Sequence, residues 1–195
     1  LIGAGGHCKS CIDVIEIEKK FKIIGLVDNK KKFFMTNYKI IGSDKELKKI
    51  SKKAQYALIT TGQIKNSKIR ESLFCKALNN GFKFPIIISP KSYISKHASI
   101  GQGTIVMHGS IINAGAKIGK NCIINSKSLV EHDAIIGDHC HLATRSTVNG
   151  GAIIKNNTFI GSGSIIKQSI EIGKNCFVNA NLFVRKNLKD NSKIL

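Results

Sequence analysis

From Ile94 to Val184 every sixth residue is Ile, Leu or Val, sixteen positions without an exception. Four residues after each stands a second position, filled by Ala, Ser, Thr or Cys at thirteen of the sixteen, while the larger Ile170, Leu182 and Leu188 fall near the end. A helix repeats its faces about every 3.6 residues and a strand about every two, so neither explains a period of six. A parallel β-helix does: each hexapeptide lays one short strand and one corner, three hexapeptides close a triangular coil, and the large and small side chains fill the prism. The register runs to about Lys189 and predicts a rigid rod of about five coils.

Gly101, Gly119, Gly137 and Gly173 each follow an aliphatic repeat position and form one column down one edge, broken by Lys155, with Gly161 one hexapeptide out of it. Glycine there suits either an unusual backbone angle or a close approach between coils. Cys122, Cys140 and Cys176 occupy the small inward position and read as core fillers.

The pattern changes near Pro90, which divides the 195 residues into a domain over 1–90 and a β-helix over 91–195. Leu1 and Ile2 read as the end of a strand whose beginning, with its Met, lies outside the sequence. Helical patterns follow over Lys9–Lys20, Ser43–Lys52 and Asn66–Asn80, and strands over Phe21–Asp28, Tyr56–Gly62 and Phe82–Ser89. Alternation of this kind predicts a small α/β sheet with crossover helices. No apolar run is long enough to span a membrane, and no signal peptide is recognised. Six cysteines without a framework spacing suit a reducing cytoplasm.

The net charge of +19, from 31 Lys plus Arg against 12 Asp plus Glu, is compatible with nucleic acid, a membrane surface or an anionic small substrate. Because the lysines are scattered, with little aromatic interleaving and no nucleic-acid module, a solvated lysine-rich surface is the simplest reading. Any function of the charge favours phosphate-bearing ligands over DNA.

Gly3-Ala4-Gly5-Gly6-His7 joins the first strand to the first helix, where glycines admit a phosphate and the helix N-terminus favours negative charge. A full dinucleotide fingerprint wants glycine at residue 8, which is Cys8. Asp28 ends the second strand of the βαβ unit, where ribose or base contacts are made in related folds. About ninety residues are too few for a two-half NAD fold, so a mononucleotide carrier fits better than a dinucleotide, and a purely structural turn remains the alternative. Cys8-x-x-Cys11 has no partner pair for zinc.

Within the β-helix, one stretch departs from bland repeat chemistry: Asn125 to Asp133, followed by His139-Cys140-His141. His132 falls at the third hexapeptide position, which points outward near a corner. An exposed imidazole beside carboxylates can act as a general base, the neighbouring charge raising its basicity; a plain surface histidine is the alternative. His132, His139 and His141 are spaced too unevenly to converge on a metal within one chain, and no metal is expected.

With Gly3–His7, Val27-Asp28-Asn29, Thr61-Gly62 and Asn125–His141 in place, the whole chain resembles the hexapeptide-repeat sugar acetyltransferases. That family includes the UDP-N-acetylbacillosamine N-acetyltransferases and the sialic acid O-acetyltransferases. The resemblance implies a Rossmann-like nucleotide-sugar domain before a left-handed parallel β-helix. It also implies a cytoplasmic homotrimer using acetyl-CoA, with active sites between adjacent β-helices and neither nucleic acid nor membrane insertion involved.

Residue by residue, the resemblance makes His132 the general base and Asp133 the acid that supports it. Gly5, Gly6 and His7 would hold the nucleotide-sugar phosphates, Asp28 and Asn29 the base, and Gly62 a backbone contact. Asn125, His141, Gly150, Ser162 and Ala180 would line the acetyl-CoA, with His141 at the thioester. Asp133 stands where the amino-sugar enzymes carry Glu, and Asn29 where they carry a second acid, which weakens the case for UDP. The implied reaction is direct transfer to the amine of a nucleotide-linked amino sugar in glycan biosynthesis. The alternatives are O-acetylation of a sialic-like sugar and a non-catalytic nucleotide-sugar-binding scaffold.

Overall fold

The computed structural model describes residues 1–29, 37–64 and 66–195. From Tyr93–Ile94 onward each hexapeptide forms a two-residue strand whose second member is the periodic aliphatic residue. Strands one coil apart pair in parallel and in register, Leu129 with Thr147 and His141 with Phe159 among them. They stack into faces of seven, six and five strands, visited in that order as the left-handed β-helix winds. Ile112, Val130, Val148 and Ile166 are 0% exposed, and the small residues Ala116, Cys122, Ala134 and Cys140 fill the remaining space at 0%. The three inward cysteines are thus core fillers; burial pushes the Cys122 thiol up to about 12.

The corners have a common device. The fourth residue of each hexapeptide from Gly103 to Asn181 lies in the left-handed region, with φ between 53° and 75°. Gly and Asn hold most of these positions; Lys127, His139 and Arg145 occupy the same backbone at a cost of roughly 1–2 kcal/mol each. The glycine column is different. None of Gly101, Gly119, Gly137 or Gly173 has positive φ, but a Cβ on Gly119 would lie 2.7 Å from the backbone of Gly137. Of the two explanations the sequence allows, close approach between coils is the one that applies.

In the first domain, Ile2 is bridged in parallel to both Val27 and Ile59 and so lies centrally. The strand β1 (Leu26–Val27) then pairs with β2 (Ile40–Gly42), a strand the sequence reading left out. Three helices pack around this sheet: α1 (Gly6–Glu18), α2 (Leu47–Ser51) and α3 (Lys68–Asn79). The expectation of one sheet strand over Phe82–Ser89 is corrected. Lys83 bridges Tyr56, whereas Ile87–Ile88 pairs with Ile105–Val106 as the first rung of the seven-stranded face. Pro85 intervenes, and Ile88 already carries the inward register of the prism.

The α/β domain sits on that seven-stranded face. Cys11, Val14 and Ile15 of α1 pack against Ile87, Ile105 and Ile123, whose outward side chains would otherwise be in water at about 1.5–3 kcal/mol each. Polar ties reinforce the seam. His108 Nε2 meets Asp13 Oδ2 at 2.7 Å while its Nδ1 meets Ser89 Oγ at 2.6 Å. Ser89 is 1% exposed and its hydroxyl accepts from Lys91 N–H, so this Ser-His-Asp set is a clasp and not a nucleophile.

Candidate active site

The turn Gly3–His7 opens a cavity of ≈ 710 Å³ at the seam between the α/β domain and the prism. Gly3 is required by the backbone: its φ is +104° and a Cβ would strike Thr61. Gly5 and Gly6 are required by nothing within the chain, since a Cβ on either meets no atom within 4 Å. The space they leave belongs to the cavity. Gly5 is the N-cap of α1 and makes no side-chain cap, so the first N–H groups of the helix and its dipole are available to an anion. Asp28 Oδ2 accepts from Ala4 N–H at 2.7 Å and pins the turn.

The cavity gathers Gly5, Gly6, His7, Asp28, Gly62, Asn125 and His141 from both domains. Asn29 is exposed and does not line it. His7 and His141 lie with ring centroids 6.5 Å apart. Burial holds both imidazoles neutral, pushing His7 down to about 3 and His141 down to about 4. His7 Nε2 is buried without a protein partner.

His132 and Asp133 lie elsewhere. They occupy the corner between the six- and five-stranded faces, the edge opposite the seven-stranded face in the triangular section. His132 Nδ1 meets Asp133 Oδ2 at 3.0 Å with both side chains exposed, 66% and 72%. This hydrogen bond, more than burial opposes it, raises the His132 pKa, and the nearby Glu131 adds to the rise. Asp133 takes the left-handed corner position, φ 60°, which turns its carboxylate beside the preceding imidazole. Gly150, one coil on, packs against the ring: a Cβ there would lie 2.7 Å from His132 Nε2. Ser162 and Ala180 are exposed on the corner that follows the seven-stranded face, and Asn125 lies half-buried at the start of the same kind of corner. One chain therefore assembles the cradle at one face and the base at the opposite edge, without bringing them together.

Two participants carry no signal in the sequence, Gln63 and Arg70, whereas Thr61 belongs to the Thr61-Gly62 stretch already singled out. Arg70 is 1% exposed and clamps the chain before Gln63, its Nη1 donating to Ile59 O at 2.6 Å and Thr61 O at 2.9 Å. An arginine on a helix otherwise rich in surface charge carries no signal of burial. Among the described residues no group of three His, Cys, Asp or Glu is placed to hold a metal ion, and no helix is long and apolar enough to cross a membrane.

Residues 1–77 match the PglD N-terminal domain. Residues 97–131 and 115–150 match the bacterial transferase hexapeptide of six repeats, and residues 151–186 the hexapeptide repeat of succinyl-transferase. Taken together, the chain matches a PglD N-terminal domain followed by transferase hexapeptide repeats. Solved structures share the whole arrangement of PglD-type domain and prism. The acetyltransferase domain of PglB from Neisseria gonorrhoeae FA1090, in complex with acetyl coenzyme A, is 25% identical with a TM-score of 0.91, covering 98% of this chain and 92% of that one. A mutant of perosamine N-acetyltransferase from Caulobacter crescentus, in complex with CoA and GDP-perosamine, is 28% identical with a TM-score of 0.92, covering 98% and 90%. WeeI from Acinetobacter baumannii AYE is 26% identical with a TM-score of 0.86, covering 98% and 93%. No curated protein matches the sequence.

Proposed function

We propose that the protein is an acetyl-CoA-dependent N-acetyltransferase acting on the amino group of a nucleotide-linked amino sugar. The observation that carries this reading is the division of labour in the geometry. A glycine cradle with a free helix N-terminus suits a nucleotide-sugar diphosphate, and an exposed, carboxylate-backed imidazole suits proton removal from an acceptor amine. The Caulobacter relative holds CoA and GDP-perosamine together, and the Neisseria relative holds acetyl coenzyme A. His132 takes the proton as the amine attacks the thioester carbonyl, the tetrahedral intermediate collapses by breaking the C–S bond and releasing CoA as its thiolate, and Asp133 orients the imidazole and stabilises the imidazolium that forms. Gly5, Gly6 and His7 receive the phosphates, with Asp28 at the base and Gly62 giving a backbone contact to the nucleotide sugar. Asn125, Gly150, Ser162 and Ala180 lie along the acetyl-CoA, and His141 stands where donor and acceptor meet.

Because His132 and the cradle lie on opposite sides of one chain, a second copy must supply the base, and a cyclic trimer closes such a set of contacts. The six-stranded face supports it. Its outward column includes Tyr93 at 60%, Ile111 at 41%, Ile165 at 41% and Phe183 at 51% exposure, an apolar strip beside the His132 edge. A reducing cytoplasm suits the free thiols, including the exposed Cys75. The test is an initial-rate assay with acetyl-CoA against UDP-, GDP- and CMP-linked sugars, GDP-perosamine first, each offered with an amine or a hydroxyl at the reacting carbon. Transfer to the amine alone is expected. Transfer to the hydroxyl alone would replace this reading with O-acetylation, and binding of acetyl-CoA to none of the preparations would leave a scaffold.

A further inference from the structure

We propose that His141 serves the acceptor and not the thioester: its Nε2 lone pair receives a hydrogen bond from the amino group of the sugar held in the glycine cradle. The inference rests on the amino-sugar reading above and departs from the thioester contact that the family resemblance implies for this residue.

Two contacts fix where the imidazole carries its proton. Nδ1 lies 2.5 Å from the carbonyl oxygen of Gln63, and a carbonyl can only accept, so Nδ1 is protonated. On the other side Nε2 lies 3.3 Å from Asn125 Nδ2. The orientation of that amide is set independently, because Asn125 Oδ1 accepts from Ser126 N–H at 2.8 Å. A proton on Nε2 would therefore point at an NH2 group. The neutral imidazole protonated on Nδ1 satisfies both neighbours, whereas the opposite tautomer and the imidazolium each leave two donors or two acceptors facing.

Gln63 cannot swing to accommodate a different proton position. Its side-chain Nε2 donates to His139 O at 2.9 Å, and the Arg70 clamp on Ile59 and Thr61 is anchored to the prism through Nε to Asn121 O at 3.3 Å. The tautomer is thus built into the seam between the two domains.

A thioester carbonyl, or the oxyanion formed from it, offers only lone pairs and would meet another lone pair at Nε2. An amine offers N–H. At 3.3 Å the Asn125 contact is longer than the roughly 2.7–3.2 Å of a well-formed bond from an amide N–H, so a substrate N–H can take the Nε2 lone pair. The Asn125 amide hydrogens are then left to an acceptor oxygen, which is what the thioester side requires.

Heteronuclear NMR of the histidine-labelled full chain at neutral pH tests this without any variant. The expected result is a pyridine-like Nε2 for His141, unmoved by saturating acetyl-CoA and shifted by GDP-perosamine. A pyrrole-like Nε2, or a response to acetyl-CoA with none to the amino sugar, would overturn the proposal. The kinetic arm uses His141→Ala, for which KM for GDP-perosamine should rise about tenfold, the scale of one hydrogen bond to a polar group, with KM for acetyl-CoA within about twofold. The reverse split overturns it. Failure of the functional reading looks different: neither ligand moves any histidine resonance, and the proposal falls with it.

Discussion

His132 has its charge partner in the next residue, so its chemistry can be separated into two substitutions. If it removes the acceptor proton, His132→Ala lowers kcat by roughly a hundredfold to ten-thousandfold while acetyl-CoA affinity, read by calorimetry, hardly moves. Asp133→Asn is milder. The protonated imidazole cannot act as base, and Asp133 raises its pKa above the ordinary 6.5. The acidic limb of kcat/KM against pH therefore lies above that value in the wild type and moves to lower pH in Asp133→Asn; an unmoved limb would mean that the carboxylate does not act on the base. Gly150→Ala reports on the same ring, since its Cβ would lie 2.7 Å from Nε2. A fall in kcat at unchanged thermal stability is expected. At the cradle the logic is inverted: a Cβ on Gly6 meets no atom within 4 Å, so Gly6→Val should fold normally, bind acetyl-CoA normally and lose the nucleotide sugar.

The elements differ in how far their residues announce them. The rungs of the prism were legible because one aliphatic and one small residue per hexapeptide suffice to specify inside from outside, and Ile112 to Val178 sit where that register puts them. The sheet of the first domain was less so: β1 and β2 are two and three residues long, too short for alternation to register. The cradle turn was readable from its glycines, as were His132 and Asp133 from their place before a corner. Gln63 and Arg70 were not, because what defines them is burial against a face that is distant in sequence. For the glycine column, close approach makes a definite expectation. Gly137→Ala drives a Cβ into Asn156 Oδ1 and places it 2.7 Å from the Asn156 backbone N and should cost about 1–3 kcal/mol as overpacking, measured by denaturant unfolding. A neutral result would mean that neighbouring coils separate readily.

For the whole molecule, assembly and acid sensitivity are the measurable properties. Light scattering should report a trimer, and Ile165→Asp with Phe183→Asp on the apolar face should yield monomers that still bind the nucleotide sugar but do not turn over. A wild type that is monomeric and active would remove the need for a partner's base. Acid should loosen the seam, because His7 and His141 are held down to about 3 and about 4 there. Between the ordinary value near 6.5 and those values the unfolded chain binds protons that these two residues refuse when folded, so the stability they contribute falls as pH drops through that window and is unchanged above it; thermal melts across the range check the sign. The in-register coil also makes the prism a ruler. Successive rungs stand about 4.8 Å apart, so an inserted stretch of eighteen residues, one full coil, would carry everything beyond it one step along the axis without rotation. An inserted six would turn it a third of the way round. Lengthening the chain between Asn125 and His132 by a coil should thus keep the base on its own edge while lifting it past the cradle it has to reach, and a lineage of such proteins can change length only in whole coils if it is to keep its chemistry.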